Sequence, residues 1–170
     1  MPILQSERLN FDVMEESDAA FFFDLLHDPG WIAGVGNKGM QNLDEARREI
    51  REKYIAKHQE QGFSLYRLSL RETGEPIGMC GLVRRPSLPE VDIGYALLQR
   101  YTGQGYAQEA ARTVLAHARD DLHLPALMGI VNPDNAASQR VLEKLGMQCV
   151  DKSDREGKPT WTYLLRFASA

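Results

Sequence analysis

Thr102-Gly103-Gln104-Gly105-Tyr106-Ala107 joins a strand pattern to a helix pattern, and its surroundings decide the fold. Just upstream, Val91, Ile93, Tyr95 and Leu97 recur every second residue and line one face of a strand. Just downstream, Ala107, Ala110, Ala111, Val114, Ala118 and Leu122 form the apolar stripe of a long helix. Two glycines let the backbone between them turn tightly, so that successive N–H groups point into one concavity. The helix start behind the loop adds unpaired amides and a partial positive charge. A pyrophosphate suits such a construction. An ordinary strand-to-helix turn is the other reading, although one glycine would normally suffice for it. Local chemistry leaves both open.

Working outward, Arg8–Met14 alternates like a half-buried strand, and Ser17 or Asp18 caps a helix through Ala19–Leu26 that Pro29-Gly30 stops. Gly30 to Met40 shows no apolar period and reads as a loop. A second helix starts near Asn42 or Asp44 and ends at Gly62, with Leu43, Ala46, Ile50 and Tyr54 as its buried stripe. Phe63–Arg71 and Pro76–Arg84 make a hairpin around Glu72-Thr73-Gly74-Glu75. Beyond the long helix, Pro125–Val131 is nearly all apolar, as a strand covered on both faces would be. A further helix opens at Asn132-Pro133-Asp134-Asn135 and stops at Gly146, and Met147–Asp151 with Trp161–Phe167 closes the chain as a hairpin. The order β-α-α-β-β-β-α-β-α-β-β predicts one α/β (α+β) domain over residues 1–170, with a mixed sheet of about seven strands and about four helices.

Composition narrows the function classes. The 170 residues suffice for one domain with a substantial core. A formal charge of −4 argues against a nucleic-acid partner, which wants a basic face. No apolar run approaches the roughly 20 residues of a membrane helix, and the N-terminus lacks the pattern of a secretory signal. Cys80 and Cys149 lie far apart and in no metal-like spacing, which points to a reducing cytoplasm. His27, His58, His117 and His123 show no zinc-ligand spacing, and exposed helix or loop ends are their expected homes.

Two more motifs need weighing. Gly34-Val35-Gly36-Asn37-Lys38-Gly39 spells G-x-G-x-x-G, but that pattern binds a dinucleotide only after a buried strand and before a helix. Here it follows a helix and a Pro-Gly turn, so it reads as a connection. Asn132, Asn135 and Ser138 recur every three residues at one helix end. That is either a capped helix closed by Gly146 or a polar ligand site, and the spacing does not choose.

Taken together, Gly94-Tyr95, the Thr102–Ala110 segment, Asn132-x-x-Asn135-x-x-Ser138 and Glu143-Lys144-Leu145-Gly146-Met147 resemble the GCN5-related N-acetyltransferase (GNAT) superfamily. The likeness is greatest to its ribosomal-protein N-terminal acetyltransferase branch (RimJ/RimL-like), which the opening Ser6-Glu7-Arg8-Leu9 also matches. The resemblance implies an enzyme that moves acetyl from acetyl-CoA to a primary amine, with no metal. In that family the strand holding Ile93–Leu97 splays from the next, and the pantetheine arm lies in the gap. The matching backbone here is Ala96, Leu97 and Leu98, one amide of which would face the thioester oxygen. Thr102, Gly103, Gln104, Gly105, Tyr106 and Ala107 would hold the pyrophosphate, with Thr102 standing where the family carries Gln or Arg. Arg100 could also serve a phosphate. Asn135 matches the residue that bonds the pantetheine arm. Asp92 stands where the branch usually has glutamate and is the candidate base, with Glu90 as alternate and a solvated strand carboxylate as the plain reading. Many members use a helix tyrosine as acid where this chain has Leu142, so Ser138 is the candidate acid as well as a CoA contact. Trp31, Asn37, Arg84, Arg85 and Trp161 are candidate walls for the acceptor, a protein N-terminus or a small amine. The branch suggests a homodimer. A non-catalytic acyl-CoA-binding or sensing module is the alternative.

Overall fold

The computed structural model describes residues 1–34 and 39–168. Alternation places the strands where the sequence predicts them, with ends trimmed by a residue or two. They are β2 (Leu9–Val13), β3 (Leu65–Leu70), β4 (Pro76–Val83), β5 (Asp92–Leu97), β6 (Ala126–Val131), β7 (Gln148–Asp151) and β8 (Trp161–Arg166). An eighth strand, the two-residue β1 (Leu4–Gln5), pairs with β2 through Leu4↔Phe11. All form one sheet in the order β1-β2-β3-β4-β5-β6-β8-β7. Every pairing is antiparallel except β5 with β6.

The helices are α1 (Ala19–Leu26), α2 (Pro29–Gly34), α3 (Leu43–Glu49), α4 (Ala56–Gln61), α5 (Tyr106–Ala116) and α6 (Ala136–Lys144). A π-helical turn, Ile50–Ile55, joins α3 to α4, so the predicted second helix is continuous in path but shifts phase midway. Its stripe is real at Ala46, Ile50 and Tyr54, whereas Leu43, in the first turn, is exposed. The expected loop after Pro29-Gly30 is corrected in its first part. Pro29 opens α2, the helical position where its missing N–H costs nothing, and the Asp28 carboxylate accepts from Gly30 N at 2.9 Å. Val35 to Lys38 of the Gly34–Gly39 motif lie outside the described residues.

Opposite faces of the sheet bury two cores. Leu9, Phe11, Tyr66, Ile77, Cys80 and Leu82 pack with Ala110, Ala111 and Val114 of α5. Met14, Phe22, Leu25, Ile50, Tyr54, Met79 and Leu98 pack under α1 to α4. A fully buried side chain such as Phe22 contributes roughly 2–3 kcal/mol by transfer alone, so these cores fix the strands between them. His58 and His117 are half-buried against Tyr66 rather than at exposed ends. Among the described residues no helix is long and apolar enough to cross a membrane.

Candidate functional site

The sheet is open in its middle. Strands β5 and β6 share one register pair, Asp92↔Met128, supported by Met128 N donating to Val91 O at 2.8 Å. Beyond it they part. On the other side of β5 the ladder with β4 is complete, and Leu98 N donates to Ile77 O. By strand alternation the N–H groups of Tyr95 and Leu97 therefore point away from β4, into the gap. Unpaired strand amides are costly when buried and empty, so the gap is built to receive something that accepts hydrogen bonds.

Two clefts meet at this gap. The first, about 450 Å³, runs from the β5 end to the start of α5 and along α6. Ala96, Leu97, Thr102, Gly103, Gly105, Tyr106, Ala107, Asn135 and Ser138, all nominated from the sequence, line it. Leu98 and Gln104 do not. Leu98 is buried in the core beneath α1 to α4, and Gln104 turns outward, its amide on Arg100 O.

The loop at the cleft mouth has the conformation that its glycines were expected to permit. Gly103 and Gly105 have φ of 76° and 83°, a region that other residues enter at a cost of about 1–2 kcal/mol. Gly105 is the residue from which α5 starts, so the first amides of an 11-residue helix open onto the cleft. Thr102 hydroxyl bonds back to Gln99 O at 2.7 Å, which closes the preceding turn. Arg100 lies outside the cleft and pairs with Glu75 at 3.3 Å. The cations that do line it are Arg140 and Lys144, neither of which the sequence reading nominated as a site residue. They share the i,i+4 face of α6 with Ala137 and Val141, a periodicity that could have flagged them.

The first turn of α6 serves as cap and as cleft wall. Asn135 Oδ1 accepts from Ser138 N at 3.0 Å, so the capping reading holds, and the same residue lines the first cleft. Ser138 Oγ lies 2.5 Å from the phenol oxygen of Tyr95, which also donates to Ser138 O at 3.2 Å. Burial pushes the phenol up to about 12, against the opposing effect of its Ser138 hydrogen bond, so Tyr95 is neutral at physiological pH.

The second cleft, about 420 Å³, opens on the other side of the same gap. Tyr95, Ala96, Asn132 and Ser138 belong to both. Asp92 lines the second cleft, 1% exposed, so the solvated-carboxylate reading gives way. Burial raises its pKa to about 6 despite the guanidinium of Arg85, whose Nε lies 3.2 Å from Oδ2. The other oxygen, Oδ1, is buried without a hydrogen-bond partner among the described residues. Glu90 lines neither cleft. Of the expected acceptor walls, Trp31 and Arg85 line the second cleft; Arg84 lies over Phe63, and Trp161 sits under Lys152. Asn37 lies outside the described residues. Arg155, Glu156 and Lys158, between β7 and β8, complete the wall.

Comparison with known proteins accords with this geometry. The sequence profile of the acetyltransferase (GNAT) domain matches residues 8–148. YkkB of Bacillus subtilis, an uncharacterised protein, is 31% identical, with 94% of this chain and 93% of YkkB covered. An acetyltransferase from Agrobacterium tumefaciens is 29% identical and superposes with a TM-score of 0.82, over 98% of this chain and 95% of that one. RimL, a ribosomal L7/L12 α-N-protein acetyltransferase solved with coenzyme A, shares the fold at 19% identity, with a TM-score of 0.77 and 95% of each chain covered.

Proposed function

The chain belongs to the GNAT acetyltransferase family, and from that premise we propose that it transfers acetyl from acetyl-CoA, bound in the first cleft, to a primary amine entering by the second. The observation that carries this reading is the β5–β6 gap, where two clefts meet beside unpaired strand amides. Acetyl-CoA would supply an activated thioester carbonyl. The first cleft fits such a molecule: loop and helix-start amides for a pyrophosphate, Arg140 and Lys144 for further phosphate charge, and strand amides for an amide-bearing arm.

Asp92 would take the proton that the acceptor ammonium must lose. At neutral pH a carboxyl with a pKa of about 6 is ionised, and Oδ1 is free to accept. Leu97 N–H or Tyr95 N–H would donate to the carbonyl oxygen as it gains charge. Ser138 and Tyr95 would face the departing sulfur. A thiol titrates near ~8.5 and the Tyr95 phenol only near 12, so full proton transfer from the phenol is uphill by about three powers of ten. The Tyr95–Ser138 pair therefore acts as a hydrogen-bond donor to the thiolate rather than as its acid. Much of the acceleration would come from alignment of the two substrates.

Thiol release from acetyl-CoA tests the reading, with N-terminal peptides and small amines as acceptors and mass spectrometry of the products. Acetylated amine and stoichiometric thiol are expected. Calorimetric acetyl-CoA binding with no thiol released by any amine would overturn transfer and leave an acyl-CoA-binding module.

A further inference from the structure

Between β7 and β8, Arg155-Glu156-Gly157-Lys158 closes into a tight turn on the wall of the second cleft. Arg155 N donates to Lys158 O and Lys158 N to Arg155 O, both at 2.9 Å. Glu156 and Gly157 have φ of 51° and 76°, the twist of a two-residue hairpin turn. Glycine takes this shape freely, whereas glutamate does so at a cost.

The turn opposes two cations. Arg155 and Lys158 are directly paired across the bridge, and like charges in that position destabilise each other. Among the described residues neither forms a close ion pair with a carboxylate, although Asp151 lies near enough to Arg155 for its pKa to be lowered in part by that charge. Arg155 is nonetheless held in place by neutral groups, with Nε on Thr162 Oγ1 and Nη1 on Ser87 O, each at 3.2 Å. Among the described residues these are its two side-chain hydrogen bonds, made by Nε and Nη1. Three cations (Arg85, Arg155, Lys158) and two carboxylates (Asp92, Glu156) face the cleft, and Arg85 is paired with Asp92.

An amine arrives there as a cation, and a wall with one more cation than carboxylate does not favour it. The conflict disappears if the acceptor brings its own negative charge. We propose that the acceptor is an anionic amine, bearing a carboxylate or phosphate that Arg155 binds with Lys158 beside it, while its nitrogen reaches the β5–β6 gap. A pinned guanidinium suits either oxyanion, because its donors form a planar fork. This rests on the acetyltransfer reading above.

Matched acceptors test it on the full-length enzyme by thiol release: alanine against alaninamide, and phosphoethanolamine against ethanolamine. The anionic member of at least one pair should be favoured by tenfold or more in kcat/KM, and the pair that shows this identifies the anion. Arg155→Ala should lower kcat/KM for that member by roughly 10- to 100-fold. Because Arg155 also holds the turn, Lys158→Glu serves as a second variant, and it should shift the preference towards the neutral member. Equal or better use of both neutral members, or a preference that survives both substitutions, overturns the inference alone. No thiol release with any amine overturns the acetyltransfer reading and this inference with it.

Discussion

Replacing Asp92 with asparagine keeps the shape of the side chain and removes its charge. The carboxyl is buried, and burial lifts its pKa from 3.8 to about 6, with Arg85 pulling the other way. At ~1.4 kcal/mol per pH unit, holding the ionised form inside the protein costs about 3 kcal/mol at neutral pH. The sign follows from the direction of the shift. A carboxyl with a raised folded-state pKa favours the folded state fully below pH ~4, and that contribution is lost as pH rises through about 6. Asp92→Asn should therefore be more stable than the wild type above pH 7 and equal to it near pH 4. The value of about 6 already includes the pull of Arg85, so loss of that pair is counted in the figure. A net gain of roughly 1–3 kcal/mol remains. Urea unfolding at pH 4 and pH 7.5 measures it, and the pH dependence of kcat/KM should lose an acid limb centred near 6, with at least a tenfold fall in the maximum. A variant less stable than the wild type at both pH values would refute this reasoning and make Asp92–Arg85 a structural ion pair. Retained turnover with an unchanged acid limb would remove Asp92 from the base role.

Three further substitutions probe the first cleft. Gly105→Ala places a Cβ 3.3 Å from Arg8 Nη2 at a φ of 83°; the strain should cost about 1–2 kcal/mol and weaken acetyl-CoA binding several-fold by calorimetry, and unchanged affinity would contradict the loop's assignment. Glu109→Gln dismantles a clamp in which one carboxylate accepts from Ser6 Oγ, Arg8 N and Arg8 Nε, next to the loop. Burial alone would raise the Glu109 pKa, but the donors outweigh it and the net direction is down. Its stabilisation of about 1–2 kcal/mol is thus present above pH ~4.3 and lost as pH falls through the lower folded-state value. In denaturation the gap from the wild type should close in acid. Tyr95→Phe removes the phenol from Ser138 and should lower kcat about tenfold, while KM for acetyl-CoA stays within about twofold; a change confined to KM would assign the pair to binding.

Local periodicity carried most of the fold. Seven strands are recoverable because each alternates or runs apolar, and β1 escaped because two residues show no period. Helix α2 was hidden by Pro29-Gly30, which stops one helix and starts another; Asp28 decides the matter by capping Gly30 N and by accepting from Gln99 N at 3.0 Å, 71 residues away in sequence. Alternation put Asp92 on the face away from Ile93 and Tyr95, but only the packing of the second cleft shows that this face is dry there. Tyr95 was read as lining one face of its strand, and no local pattern shows that its hydroxyl meets Ser138 across 43 positions of chain. Arg140 and Lys144 look like any solvated helix face until α5 and its loop stand opposite them. Arg155 and Lys158 lie in a connection without periodicity, and their opposition arises from two positive φ angles.

The single Asp92↔Met128 bridge has a kinetic corollary. Ile130, Val131 and Asn132 border both clefts from the β6 side, and past the bridge nothing in the ladder fixes their distance from β5. An occupant of the first cleft therefore completes a wall of the second. An acceptor that arrives early meets an unfinished wall, so the two substrates should load in a compulsory order, cofactor first. Coenzyme A should likewise slow hydrogen exchange at the Tyr95 and Leu97 amides more than an acceptor does alone.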